Sequence, residues 1–189
     1  MNIQEMKRTL KDSMKLRWCL VLFLAAVVLL LGSVYRSHRF WPEDLWLLCW
    51  NDSGSVPRGI YLRLPIGTLA DGDYVVFEPK ELTLRFSVAR GWSKPGQLFL
   101  KQIGALPGES YSVNPGTLQF YANGRYIGQT ALRDSENRPM PVLRGTYIVP
   151  DGEFLPIGEN PRSFDGRYTG TVPVSHIRAK AVPLLTGLW

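Results

Sequence analysis

The sequence predicts a mainly β protein in which a single antiparallel β domain follows an N-terminal transmembrane helix. Two features of the 189 residues support this fold class. One long uncharged apolar run lies near the N-terminus, and the chain beyond residue 40 alternates short apolar runs with turn residues. The 18 Gly and 14 Pro are many for a helical protein, and they suit short strands joined by turns.

The uncharged run covers residues 18–35, with the sequence "WCLVLFLAAVVLLLGSVY". As a helix it would be about 27 Å long at about 1.5 Å per residue, which is close to the thickness of a bilayer core. It is longer than the ~7–15 residues of a signal-peptide apolar core, and no clear small-residue cleavage site follows it. We therefore expect a retained anchor rather than a cleaved signal.

The charges on either side of this run predict its orientation. Five Lys or Arg residues lie in residues 1–17, whereas only Arg36 and Arg39 closely follow the run. The larger positive cluster stays on the cytoplasmic side. We predict a cytoplasmic basic segment at 1–17, a transmembrane helix at 18–35 and an extracytoplasmic β domain at 36–189. In a bacterial cell this is a single-pass protein of the inner (cytoplasmic) membrane whose β domain lies in the periplasm.

Eight apolar runs rich in Val, Ile, Tyr and Phe predict the strands of the β domain, because these residue types favour strands. Asn123-Gly124, inside the sixth run, is a strong signal for a hairpin turn. The polar, Pro-containing segment 129–144 is expected to be an exposed loop or a small insertion. The predicted strands cover 46–50, 59–64, 73–78, 97–105, 110–114, 118–128, 145–149 and 176–185.

The distribution of charge argues against a nucleic-acid partner. The formal net charge is +6, but residues 40–189 contain 15 basic and 14 acidic groups, so the basic excess lies beside the apolar run. The two cysteines, Cys19 and Cys49, lie inside and outside that run, and we infer no disulfide between them. His38 and His176 have no Cys nearby in the sequence, so we expect no metal site and no cofactor.

The first candidate site segment is "CWNDSGSVPRG" at residues 49–59. Pro57 fixes its own φ and restrains the preceding residue, so the loop is stiff. Ser55 lies at this corner and is a candidate nucleophile, which needs a base to remove its proton. Ser53 is a candidate donor to a developing oxyanion. A simple turn is the other interpretation of the segment.

The second segment, "QLFLKQIGALPGES" at residues 97–110, contains Lys101 inside an apolar strand. Strand alternation places Phe99, Lys101 and Ile103 on one face. If that face is inward, burial lowers the lysine pKa, and a neutral amine near pH 7 can act as a general base. If the face is outward, Lys101 is an ordinary solvent-exposed strand lysine.

The third segment, "IGENPRSFDGRYTG" at residues 157–170, is rich in Gly, Asn, Asp and Ser. Such composition is typical of a turn. Asp165 and Arg167 are close enough in sequence to form an ion pair, and the Ser163 hydroxyl can bond to a neighbouring group.

Taken in order behind an apolar anchor, the three segments resemble the boxes of the signal peptidase I family of membrane-anchored serine peptidases. The counterparts are "SGSVP" (53–57), "KQIGALPG" (101–108) and "GENPRSFDGR" (158–167). The stretch "NDSGSVPRGIY" (51–61) fits the N-x-S-x-S-x-P-x-G-x-Y pattern of the TraF-type branch, which is linked to conjugative transfer. The second box departs from the family at Gln102, where an arginine is usual, and the third departs at Gly166, where a serine is usual.

The resemblance implies a fold, a chemistry and partners. It implies a signal-peptidase-type β fold and a peptidase that cleaves exported precursors after small residues, maturing and in this branch sometimes cyclising a conjugative pilin. Its partners would be a membrane-bound precursor, pilin or secreted preprotein, and the lipid bilayer. Matched to the boxes, Ser55 is the nucleophile, Lys101 the general base, Ser53 an oxyanion donor and Ser163 the residue that orients the lysine. Asp165 and Arg167 match the Asp and Arg of the third box as supporting residues, and Asp165 is either catalytic or structural.

Three alternatives remain at this stage. A housekeeping signal peptidase I has the same boxes. The self-cleaving repressor peptidases share Ser/Lys chemistry, but they need a DNA-binding helical domain where residues 1–40 contain an apolar run. A catalytically inactive β domain that acts as a scaffold in the cell envelope is the alternative outside enzymes.

Overall fold

A computed structural model describes residues 17–29 and 47–187. Residues 17–29 are helical (α1) and form a unit separate from the β-rich unit described below. Within the described ranges no helix is both long and apolar enough to cross a membrane. Residues 30–35 of the predicted anchor and residues 1–16 of the predicted basic segment lie outside the described residues, so the transmembrane helix stays a prediction.

The β-rich unit contains eleven strands in two antiparallel sheets, which confirms the mainly β, antiparallel class. Asn123 and Gly124 both adopt positive φ between β6 and β7, as the hairpin signal predicts. The strands are β1 (Leu48–Asn51), β2 (Gly59–Leu64), β3 (Tyr74–Phe77), β4 (Phe99–Ala105), β5 (Ser110–Val113), β6 (Gln119–Ala122), β7 (Arg125–Gln129), β8 (Gly145–Ile148), β9 (Glu153–Ile157), β10 (Val172–Pro173) and β11 (Ile177–Thr186).

The larger sheet has seven strands in the order β1-β2-β11-β3-β4-β9-β10, and the smaller sheet has four in the order β7-β6-β5-β8. Apolar side chains pack in three clusters, centred on Phe120 of the smaller sheet and on Phe77 and Tyr61 of the larger one. Strand β4 lies between β3 and β9 inside the larger sheet. The backbone of β4 is therefore paired along both of its edges.

Several elements of this unit were not expected from the sequence. Helix α2 (Glu81–Ala89) connects β3 to β4, and the short helix α3 (Gly166–Thr169) lies within the segment predicted to be a turn. Strand β9 has four consecutive buried residues, so it lacks alternation, and it contains Pro156, a residue that strands disfavour. Strand β10 is two residues long and pairs with β9. These additions place the third candidate segment directly after β9.

Candidate active site

The loop that contains Ser53 and Ser55 is held in shape by Asn51, the last residue of β1. The Asn51 side-chain amide donates to the carbonyl oxygens of Val56 at 3.2 Å and Pro57 at 3.1 Å. Its side-chain oxygen accepts from the Ser53 N–H at 3.1 Å and from the Ser53 hydroxyl at 2.7 Å. Asn51 is buried, so these bonds replace water on both of its polar atoms. The loop is consequently fixed to the end of β1.

Gly59 and Tyr61 attach the other end of this loop to the larger sheet. The Tyr61 hydroxyl donates to the Pro57 carbonyl oxygen at 2.7 Å, and its ring is fully buried. A Cβ at Gly59, where φ is +141°, would lie 2.0 Å from the Leu185 carbonyl oxygen. A side chain at this position would therefore collide with β11. The contacts of Asn51, Gly59 and Tyr61 therefore explain why the N-x-S-x-S-x-P-x-G-x-Y pattern has Asn, Gly and Tyr at these positions.

Lys101 projects from β4 into the protein, on the face it shares with Phe99 and Ile103. Its side chain is only 4% exposed. Burial lowers the pKa of Lys101 to about 8; the Asp165 carboxylate raises that pKa, and the Arg167 guanidinium lowers it. The inward orientation is the one that a general base requires, and the solvent-exposed alternative for Lys101 is wrong.

A small cavity with mostly apolar walls lies beside Lys101. Few polar groups surround the amine there, which accounts for the loss of hydration that lowers its pKa. Besides Lys101 and Asp165, the cavity is lined by Phe77, Pro79, Thr83, Phe99, Pro156, Phe164, Thr169 and Val172.

The buried pair Asp165 and Arg167 organises the third segment. The Arg167 Nε donates to Asp165 Oδ1 at 2.8 Å, and both side chains are fully buried. Asp165 Oδ2 also accepts from the Gly158 N–H at 2.7 Å, and Arg167 donates to the Pro161 carbonyl oxygen at 2.8 Å. Since every one of these contacts is within the segment, the pair fixes the path of residues 158–167.

The structure brings all three segments together around Gly158. Lys101 Nζ donates to Ser163 Oγ at 2.8 Å. A Cβ at Gly158 would lie 2.1 Å from Ser163 Oγ and 2.8 Å from the Ser55 carbonyl oxygen, and that same oxygen accepts from the Asn160 N–H at 3.2 Å. Only a glycine fits where the segments containing Ser55, Lys101 and Ser163 meet.

Two of the expected contacts differ from this arrangement. A bond between Ser55 and Lys101 is not among the side-chain hydrogen bonds within residues 47–187, where the lysine donates to Ser163 instead. The Ser53 hydroxyl donates to Asn51 rather than toward the position of a substrate. The roles assigned to Ser53, Ser55 and Lys101 therefore stay predictions.

Three residues that shape this site were not singled out from the sequence. Asn51 and Gly158 stand in the quoted motifs, but nothing in the motif letters indicates an amide that closes a loop or a missing Cβ where three segments meet. Glu159 accepts hydrogen bonds from Tyr74 and Gln102, which are distant in the chain. A local sequence pattern contains no information about such partners.

Comparisons with known proteins show the family to which this chain belongs. The family model described as "Signal peptidase, peptidase S26" matches residues 16–185. "Probable signal peptidase I-1" of Synechocystis sp. (strain ATCC 27184 / PCC 6803 / Kazusa) is 31% identical over 166 residues, which cover 86% of this chain and 78% of the relative. "Plasmid transfer protein TraF" of Escherichia coli is 29% identical over 148 residues, which cover 72% of this chain and 81% of the relative.

Among solved structures, a signal peptidase I from Enterococcus faecalis V583 is 24% identical, with a TM-score of 0.37; the match covers 61% of this chain and 97% of that one. The family match extends over most of the chain and includes all three candidate segments. The chain belongs to the signal peptidase, peptidase S26 family.

Proposed function

We propose that the protein is a membrane-anchored serine endopeptidase that cleaves exported precursors after a small residue, with Ser55 as nucleophile and Lys101 as general base. The observation that carries the proposal is the buried Lys101 amine, bonded to Ser163 where the segments of Ser55 and Ser163 meet. A lysine with a pKa of about 8 is partly neutral near pH 7, and only the neutral form can accept a proton.

The reaction is acyl transfer in two steps. Lys101 Nζ accepts the Ser55 hydroxyl proton while Ser55 Oγ bonds to the scissile carbonyl carbon, and the lysine then gives that proton to the leaving nitrogen as the C–N bond breaks. A water molecule, or a neutral amine of the pilin itself, attacks the resulting ester and loses a proton to Lys101. Lys101 then gives that proton to Ser55 Oγ as the ester C–O bond breaks, which restores both residues. Ser163 holds Lys101 in place through their hydrogen bond.

The oxyanion of each step needs donors near Ser55. We assign this role to the Ser55 N–H and the Ser53 hydroxyl, where loss of one such donor costs about 10²–10³ in rate. The Ser53 hydroxyl can reach that role by rotating its proton away from Asn51, since a hydroxyl has one freely rotating donor. Asp165 and Arg167 have a positioning role, because they contact the backbone of the third segment and each other.

The partner that fits is a precursor held in the bilayer. The apolar run "LWLLCW" covers residues 45–50, directly before the loop of Ser53 and Ser55. Its residues Leu48 and Trp50 are exposed, so this part of the run is not a buried strand and suits a surface against lipid. The side chains of Leu22, Phe23 and Leu29 in α1 are also exposed, as an anchor helix requires. The proposed location is the inner membrane, with the N-terminus in the cytoplasm and the β-rich unit in the periplasm.

Two relatives support different substrates. The TraF relative, together with the structural roles of Asn51, Gly59 and Tyr61 in the motif of that branch, favours maturation of a conjugative pilin. The 31% identity to a probable signal peptidase I favours housekeeping removal of signal sequences. We give preference to the pilin, and complementation of each activity in cells separates the two.

The test of the chemistry uses the full chain in lipid vesicles with a membrane-bound precursor. Ser55→Ala and Lys101→Met are expected to abolish maturation while both proteins stay folded. Ser135→Ala and Lys94→Met change exposed residues of the same types and serve as matched controls with full activity. If Ser55→Ala and Lys101→Met both still mature the precursor, the Ser/Lys mechanism is wrong.

A serine-reactive probe separates a peptidase from a non-catalytic scaffold of the same fold. The peptidase predicts labelling of Ser55 in the parent protein and loss of the label in Lys101→Met. An inactive scaffold would show no labelling of Ser55 in either protein.

A further inference from the structure

Glu159 presents an oriented carboxylate beside the proposed active site. The hydroxyl of Tyr74 and the side-chain amide of Gln102 both donate to the same oxygen, Oε1, the latter at 3.1 Å. Both hydrogen bonds are exposed to solvent. The carboxylate is thus fixed by two donors through one oxygen, while Oε2 is directed to neither of them.

The two donors orient Glu159 without neutralising its charge. Gln102 is uncharged, and it stands where the signal peptidase box has an arginine. Burial, together with the bond to the Glu159 carboxylate and its charge, raises the pKa of Tyr74 to about 12, so the tyrosine stays a neutral donor. Glu159 forms no ion pair among the salt bridges of the part of the chain that the structure describes. Among the described residues, the Glu159 carboxylate therefore faces solvent with two neutral donors and no ion-pair partner.

The position of Glu159 in the chain places this charge near the proposed nucleophile. The preceding residue, Gly158, approaches the Ser55 carbonyl oxygen closely enough that a Cβ there would be 2.8 Å from it. The following residue, Asn160, donates its N–H to that same oxygen. A peptide bound at Ser55 would therefore pass close to Glu159.

From this geometry we propose that Tyr74, Gln102 and Glu159 form a subsite that binds a cationic nitrogen of the substrate, an ammonium or a guanidinium, next to the scissile bond. The inference rests on the proposed function, since it takes Ser55 as the point of cleavage. The cation can come from a Lys or Arg side chain of the precursor or from a free α-ammonium group. That ammonium loses one proton to solvent before its neutral nitrogen attacks the acyl-enzyme, and the second proton passes through Lys101 to Ser55 Oγ as the ester bond breaks. A carboxylate bound to a charged donor gives a stronger hydrogen bond than a neutral pair.

The first experiment measures binding to the full-chain Ser55→Ala protein in detergent. The probes are labelled peptides with Ala one and three residues before the cleavage point, in which lysine or its uncharged analogue norleucine is moved through the neighbouring positions. At one position we expect the lysine peptide to bind about tenfold more tightly, equivalent to about 1.4 kcal/mol. Because binding does not need Ser55 chemistry, a failure of the proposed mechanism does not affect this result.

Adding Glu159→Gln to the Ser55→Ala protein tests the negative charge of Glu159 alone, because glutamine keeps an oxygen that can accept hydrogen bonds from Tyr74 and Gln102. The preference for lysine is expected to disappear in this variant and to change to a preference for glutamate in Glu159→Lys. The matched control is Glu81→Gln, which removes an exposed acid that pairs with Arg85 and should keep the lysine preference.

The second experiment tests the free amine as the source of the cation. The wild-type protein cleaves a peptide in the presence of glycinamide, and the ratio of aminolysis to hydrolysis is compared with that of Glu159→Gln. If the ratio of aminolysis to hydrolysis is roughly tenfold lower in Glu159→Gln, the subsite binds the free α-amine. If Glu159→Gln changes only the binding of the lysine-containing peptides, the subsite binds a side chain of the precursor. If neither measurement distinguishes Glu159→Gln from its parent, or if no lysine preference exists to begin with, the subsite is ruled out.

Discussion

At the scale of single residues, Lys101 combines a stability cost with a functional gain. Its amine is almost completely buried, and its main polar contact is the neutral Ser163 hydroxyl. A lysine in this position destabilises the folded state when it is protonated, because burial disfavours the charged form. The same burial makes the amine partly neutral near physiological pH, which the proposed role of Lys101 as general base requires.

The first prediction concerns the pH dependence of stability. The Lys101 pKa is about 8 in the folded state and 10.5 for an ordinary lysine, so the unfolded chain binds more protons between these values. The wild type therefore gains stability as pH rises from 8 to 10.5, and below pH 8 the penalty is complete. We expect Lys101→Met to be more stable than wild type at pH 6.5, with a smaller difference at pH 9.5, measured by urea unfolding in detergent. A difference that does not change with pH would contradict the assignment; Lys94→Met is the exposed control.

The second prediction concerns the pH dependence of activity. In the proposed mechanism the neutral Lys101 amine accepts the Ser55 proton, so kcat/KM should rise with pH through about 8. The Asp165 carboxylate raises the Lys101 pKa, so Asp165→Asn should move this rise to lower pH. The same substitution leaves the buried Arg167 without its anionic partner and should destabilise the protein by roughly 3–5 kcal/mol. An unchanged pH profile in Asp165→Asn would mean that the carboxylate does not act on the lysine.

At the scale of elements, the segment 131–141 is anchored to the chain just after helix α2. The Asp134 carboxylate accepts from Arg90 at 2.6 Å and from Arg138 at 2.7 Å. Burial alone would raise the pKa of Asp134, but hydrogen bonds from Arg138, Arg90 and the Glu136 N–H outweigh it and hold that pKa well below its ordinary value. The segment is therefore a docked element, although its composition is that of an open loop.

An aromatic cluster joins helix α2 to the third site segment. The Phe164 ring stacks on Phe86 of α2 with centroids 5.2 Å apart, and it also contacts Trp92 at 5.4 Å and Tyr168 at 5.7 Å. Phe164 follows Ser163, the hydrogen-bond partner of Lys101, and it lines the cavity beside the lysine. The cluster consequently supports the position of Ser163 and covers the lysine against water.

The third prediction follows from this cluster. Phe164→Ala should admit water to the cavity, which weakens the burial effect and raises the Lys101 pKa. We expect the rise of kcat/KM to move to higher pH and the maximal rate to fall about 10–100-fold, because Ser163 loses its support. Phe164→Leu should restore much of the rate, and Tyr126→Ala removes an exposed aromatic residue of β7 as the control. A lower rate with an unshifted pH profile would limit Phe164 to a structural role.

The sequence predicts the strands and the order of the candidate segments better than it predicts their contacts. Alternation shows that Phe99, Lys101 and Ile103 share a face. Which face is inward depends on residues from far along the chain, such as Phe164 and Val172, that pack against it. The sequence does not predict strand β9, because the buried residues of this strand show no alternation with exposed ones. The acceptor role of Glu159 depends on Tyr74, 85 positions away, and on Gln102, 57 positions away.

At the scale of the whole molecule, the larger sheet has an apolar outer face on three adjacent strands. Leu48 and Trp50 of β1 are directly opposite Leu62 and Ile60 of β2, so these four side chains share one face. On β11, Val182 is opposite Leu62. Trp50 is 59% exposed and Val182 is 41% exposed. Apolar residues arranged continuously on a surface mark a site of contact with a membrane or another protein.

The last prediction tests whether this face contacts lipid. We expect the double variant Leu48→Asp/Val182→Asp to mature a membrane-bound precursor in lipid vesicles at least about tenfold more slowly, since each charge opposes transfer of the sheet into an apolar phase. Cleavage of a soluble peptide in detergent should stay close to that of wild type, because neither residue belongs to the proposed site. Ile148→Asp introduces a charge at an exposed position of the smaller sheet and should leave both activities intact. If the double variant cleaves both substrates equally slowly, the substitutions damage the fold. If it cleaves both at the wild-type rate, the apolar face does not contact the bilayer.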